Sequence, residues 1–150
     1  MIEKLLVLLH LQYVELIPDA EYQEFLHELF LQNPNNDLLL ELEWTANDYT
    51  TTKMLIWEYI YSIGGYTENN IDFDVIGKFL VEQLKKIYHS GMDIHTFGAK
   101  VHRLWQTFPF INEREYDEPF FALCYADDPL SWGDEAQSRE MYEEMFRFYD

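Results

Sequence analysis

Tyr22-Gln23-Glu24-Phe25-Leu26-His27-Glu28-Leu29-Phe30 carries the clearest helical pattern in the chain. Tyr22, Phe25, Leu26, Leu29 and Phe30 follow the i, i+3, i+4, i+7, i+8 spacing, which gathers five large apolar side chains on one helical face, while Glu21, Glu24 and Glu28 turn elsewhere. Asp19 stands where an N-cap is expected, and Pro34 ends the segment. The same period returns in Ile76, Phe79, Leu80, Leu84, Ile87 and Tyr88, behind a cap at Asp74 and stopping near Ser90-Gly91. It returns again in Ile94, Phe97, Val101, Leu104, Trp105 and Phe108, between Asp93 and Pro109. Ile56, Tyr59, Ile60 and Ile63 run into Gly64-Gly65, and Met141, Met145, Phe146 and Tyr149 form a last stripe. Pro119 fits the first position of a short helix through Phe120, Phe121 and Cys124.

Two segments are less direct. Ile2 to Leu16 is apolar nearly all round, which suits a helix buried on every side, although periodicity alone leaves a buried strand open. In Asp37 to Trp44 the residues Leu38, Leu40, Leu42 and Trp44 alternate with Glu41 and Glu43 as a half-buried strand would. Leu39 breaks that alternation, Leu and Glu are strong helix formers, and Asn36 or Asp37 can cap, so helix is favoured over strand. With no Ser/Gly linker, fixed-period repeat or biased tract, the reading is one all-α domain, residues 1–150, of seven or eight short helices.

The charge is lopsided. The chain carries 28 Asp and Glu against 10 Lys and Arg, a formal −18, and the excess sits at the two ends. Residues 1–52 hold ten acids and one base, residues 53–103 six of each, and residues 104–150 twelve acids and three bases. Such asymmetry costs self-repulsion in a compact chain and points to a solubility device or to the complement of a basic partner. Protonating all five His still leaves −13, a field opposing direct contact with nucleic acid or an anionic membrane. Eleven Phe, eleven Tyr and four Trp accompany the charge, so the acids decorate a folded surface and not a disordered chain. The run Leu5 to Leu9 after Lys4 is too short and too soon interrupted for a leader or a span of about 20 apolar residues. Cys124 is the single cysteine, which excludes an internal disulfide framework and fits a reducing cytoplasm.

Catalytic constellations are sparse. Glu24-x-x-His27 places a carboxylate and an imidazole on one helical face, but a di-metal bundle needs two such pairs, and no other His has a Glu three residues before it. His95 and His102 lie two turns apart, roughly 10 Å, with Gly98 and Ala99 between them, neither able to ligate. Cys124 sits among aromatic residues without an adjacent base and reads as core. Asp72-Phe73-Asp74 and Asp127-Asp128 read as caps and turns. No catalytic residue, metal site or cofactor is nominated.

The most informative surface candidate is the acidic and aromatic tail. Glu113, Glu115, Asp117, Glu118, Asp127, Asp128 and Asp134 are interleaved with Tyr116, Phe120, Phe121, Tyr125 and Trp132. Carboxylates steer a basic partner, and aromatic side chains supply the desolvated anchors that hold it. The partner-binding candidates are therefore Glu113, Glu115, Asp117, Asp127, Asp128, Trp132 and Asp134, joined by Glu41, Glu43 and Trp44.

Leu9-His10-Leu11, Tyr13-Val14-Glu15-Leu16, Phe25-Leu26 and the run Asn33-Pro34-Asn35-Asn36-Asp37-Leu38-Leu39-Leu40-Glu41-Leu42-Glu43-Trp44 resemble a family of small acidic bacterial proteins. That family includes antitoxins, the immunity partners of LXG-type polymorphic toxins. The resemblance covers the first third of the chain. It implies a cytoplasmic protein that neutralises a basic toxin domain, such as a nuclease, by stoichiometric binding. Two other expectations stand beside it: a metal-dependent helical enzyme using Glu24 and His27, and a helical adaptor or oligomeric structural protein.

Overall fold

The computed structural model describes residues 1–45, 48–65, 70–108 and 111–150. The protein is all-α. Among the described residues the helices are α1 (Ile2–Tyr13), α2 (Asp19–Gln32), α3 (Asp37–Thr45), α4 (Tyr49–Ser62), α5 (Phe73–Tyr88), α6 (Ile94–Thr107), α7 (Phe121–Tyr125), α8 (Asp128–Ser131) and α9 (Glu135–Phe146), with a 3₁₀ turn at Asn112–Arg114. Asp37 to Trp44 is thus helix and not strand. Contacts divide the chain into two compact units, Met1–Ile76 and Gly77–Asp150. No described helix is long and apolar enough to cross a membrane.

In the first unit α1 is buried on every side: Leu5, Leu6, Val7, Leu8, Leu9 and Leu11 are each at most 1% exposed. Full burial of one such side chain stabilises by about 1.5–3 kcal/mol, so this helix is the densest apolar segment of the unit. It ends where Glu15 takes a left-handed backbone, φ 62°, and the Leu16 amide donates back to the Leu11 carbonyl at 2.9 Å. That reversal delivers Leu16 and Ile17 into the interior.

α2 packs against α1 and α3, and α4 against α1 and α3. Tyr22 and Leu26 are buried, with Phe25, Leu29 and Phe30 half-buried beside them. The expected cap at Asp19 is corrected: Pro18 holds the cap position with an extended backbone, and Asp19 opens the helix while accepting from Gln12 Nε2 at 2.9 Å. In α3 the spacing of Leu39 and Leu42 sets the inner face, and Asn36 Oδ1 caps it by accepting from the Leu39 amide at 3.0 Å. Thr52 of α4 donates its hydroxyl to the Thr45 carbonyl at 2.8 Å, fixing the end of α3 to its neighbour.

In the second unit α6 buries Ile94, Phe97, Val101 and Leu104, and Asp93 caps it by accepting from the Thr96 amide. The expected stop at Pro109 lies outside the described residues. The cap of α5 is Asp72 and not Asp74, because Asp72 Oδ1 accepts from the amides of Asp74 and Val75 at 3.0 and 3.2 Å. α7 starts at Phe121 and not at Pro119, which follows a cis peptide bond and precedes a turn at Phe120.

α9 buries Met145 and Phe146 of the expected stripe together with Ser138 and Tyr142, while Met141 is only half-buried. Tyr88 packs edge-on against Phe97 and Phe146, with ring centroids 5.5 and 5.1 Å apart, and its hydroxyl accepts from Arg139 at 3.1 Å. Gly98 permits the close approach of α6 to α8 and α9. A Cβ there would stand 3.1 Å from Leu130 Cδ1 and 3.2 Å from Asp127 Cβ.

Candidate partner-binding surface

The candidates fall into two sets, one in each unit. In the first unit the inward turn of Leu39 and Leu42 leaves Asp37, Leu40, Glu41 and Trp44 on the outer face of α3. Trp44 is 86% exposed, an unusual cost for a large indole unless something covers it. Glu41 is exposed beside it in sequence. Glu43 differs from the expected free carboxylate. It is half-buried, and its Oε1 lies 2.8 Å from His27 Nδ1, an interhelix contact from α3 to α2. His27 therefore points to Glu43, across the groove between two helices. Among the described residues no group of three or more His, Cys, Asp or Glu side chains could hold a metal ion.

In the second unit Glu113, Asp117, Glu118 and Asp128 are exposed and Glu115 is half-buried. Asp117 lies 3.7 Å from Arg114, a solvent-screened pair worth about 0–1 kcal/mol. Tyr116 is 76% exposed, its ring stacked on Tyr125 at 6.4 Å, and Tyr125 meets Phe121 at 4.8 Å. The hydrogen bond to Tyr116, then burial and the charge of Glu115, push the Tyr125 phenol up to about 12. Tyr125 thus presents a neutral hydroxyl among carboxylates. Trp132, just past α8, is also largely exposed. Asp134 is exposed, but it accepts from the Gln137 amide at 3.0 Å and caps α9, so its removal would loosen a helix as well as delete a charge.

Asp127 does not belong with the open carboxylates. It is half-buried, with Oδ1 3.3 Å from His102 Nδ1, and the same imidazole nitrogen lies 3.1 Å from the Cys124 carbonyl. Burial raises its pKa, outweighing the pull of His102 in the other direction. Asp127 is a link between α6 and the start of α8. Cys124 is buried and free, and burial first, then the charges of Glu115, Asp128 and Asp127, raise its pKa, which suppresses the thiolate.

One feature escaped sequence reasoning. A small groove of about 80 Å³ between the α7 region and α9 is lined by Pro119, Phe121, Ala122, Met141 and Met145 together with Glu118 and Glu144. Met141 and Met145 read as a core stripe from spacing alone, and only the docking of α7 on α9 shows that they border an opening. No family model, curated protein or solved structure matches the chain.

Proposed function

We propose that this chain is a cytoplasmic immunity protein, an antitoxin that neutralises a basic toxin domain, such as a nuclease, by stoichiometric binding. The observation that carries the reading is the exposure of Trp44, Tyr116 and Trp132 on a chain of net charge −18, each close in sequence to exposed carboxylates. Aromatic side chains with one wet and one apolar aspect are the residues that concentrate binding energy once a partner desolvates them. The surrounding acids accelerate encounter with a cationic surface and repel anionic competitors. The resemblance of residues 5–44 to immunity partners of LXG-type toxins supports the same reading.

Pull-down from native lysate of the source organism, eluted in salt steps, should return one basic protein in stoichiometric amount. Its association rate should fall steeply with ionic strength, because exposed charges are screened beyond about 10 Å at 0.1 M salt. Simultaneous Glu113→Lys, Asp117→Lys and Asp128→Lys substitution, which spares the half-buried Asp127 and the capping Asp134, should slow association by about tenfold or more while leaving helicity intact. A captured partner that is acidic, or a rate indifferent to salt, would sink the proposal.

A further inference from the structure

We infer that the groove between α7 and α9 receives a single arginine side chain of the basic partner. The inference rests on the proposed function and names the chemistry of one contact within it. The apolar part of the lining is adaptable: Met141 is half-buried and Met145 almost fully buried, both with flexible, polarisable thioethers, and Phe121, 38% exposed, offers a ring. The remaining lining includes two exposed carboxylates, Glu118 and Glu144. Among the described residues the ion pairs of this unit join His102 to Asp127, Arg114 to Asp117 and Arg139 to Glu135, so neither groove carboxylate is engaged by a cation of its own chain.

Size and charge together select the occupant. At about 80 Å³ the opening has room for roughly three waters at about 30 Å³ each, which suits the head of a guanidinium and falls short of an indole. A neutral aliphatic side chain would satisfy the apolar lining but would desolvate two carboxylates without compensation. A second copy of this chain would bring another −18 against the first. Arginine is preferred to lysine because its planar, weakly hydrated cation stacks on an aromatic ring and pairs with a carboxylate through a fork of donors.

The test uses the full chain with its methionine methyl groups labelled with carbon-13, observed by NMR. Five signals report, from Met1, Met54, Met92, Met141 and Met145. N-acetyl-arginine amide, N-acetyl-lysine amide and N-acetyl-norleucine amide are titrated to about 50 mM, a range suited to millimolar dissociation constants. Arginine amide should shift Met141 and Met145 saturably and leave Met54 in place. Lysine amide should bind more weakly, and norleucine amide should produce no saturable shift. Glu118→Gln and Glu144→Gln, both at exposed positions, should each weaken arginine binding by roughly two- to fivefold.

The inference is overturned if Met141 and Met145 do not respond to arginine amide. It is equally overturned if norleucine amide moves them as far, or if both Gln variants bind as the parent does. Because no partner protein takes part, the outcome separates from that of the pull-down. A basic partner captured together with a silent groove would retain the function and move its interface elsewhere. An arginine-binding groove without a basic partner would retain the receptacle and discard the immunity reading.

Discussion

Acidification from about pH 7 to pH 5 should weaken the first unit by about 2 kcal/mol through His10 alone. The ring lies on α1 at 1% exposure, with Nδ1 2.7 Å from the Leu6 carbonyl, to which it donates as the neutral tautomer. Burial denies water to an imidazolium and holds the pKa at about 4 against an ordinary 6.5; the Leu6 carbonyl opposes that shift, and the positive charge of Lys53 adds to it. An unfolded chain takes up a proton near pH 6.5, whereas the folded chain waits until near pH 4. The unfolded state therefore binds more protons throughout this window, and stability is lost as pH falls through it. Each pH unit within the window removes about 1.4 kcal/mol, so the full loss approaches about 3 kcal/mol, a large part of the roughly 5–15 kcal/mol that holds a domain together.

The assay is urea unfolding of the parent and His10→Gln at both pH values, following the tryptophans of the first unit, Trp44 and Trp57. The carboxylates are common to both chains, so their contribution cancels in the difference of differences. The parent should lose about 2 kcal/mol more than His10→Gln on acidification. Equal losses in the two chains, or an NMR titration of folded His10 centred near 6.5, would show that burial of His10 does not set this pH dependence.

Two further outcomes test the packing. Asn36→Ala deletes the acceptor for the Leu39 amide and should cost about 1 kcal/mol in urea unfolding; a cost near zero would mean that solvent caps α3 equally well. Gly98→Val drives a branched side chain against Leu130 and Asp127 and should cost about 1–3 kcal/mol beyond the matched surface change Ala99→Val, whereas equal effects would show that α6 can move away freely.

Much of the helical framework is legible in the sequence because its signal is periodic and local. The stripes of α2, α5 and α6 come from residues three and four apart, and the cap at Asp93 lies directly before its stripe. Caps at the other helices were harder to place. Asp72 and Asp74 are chemically equivalent in the sequence, and the choice depends on which carboxylate reaches the amides two and three residues on. In α3 the alternation of Leu40, Leu42 and Trp44 with Glu41 and Glu43 imitates a strand, and Leu39 becomes decisive only when it is seen to be buried with Leu42.

The site was legible in its charges and aromatic residues but not in their environments. Asp127 and Asp128 are neighbours of the same type, yet one faces His102, contributed by a distant part of the chain, and the other faces solvent. Glu43 is likewise distinguished from Glu41 only by His27 on another helix. The groove depends on the docking of α7 against α9, a relation between segments about twenty residues apart that no periodicity encodes.

The all-round burial of α1 divides the chain into positions that differ in their freedom to drift. At Leu8 or Leu9 a charged replacement has no direction in which to reach water, so selection for folding alone holds these positions apolar. At Trp44 and Trp132, both largely exposed, folding imposes little, and under the proposed function the demands of a partner would restrict change. A lineage built on this plan would keep its first helix while rewriting its outer surface whenever its partner altered. Kinship would then be written most clearly in the segment that says least about what each member binds.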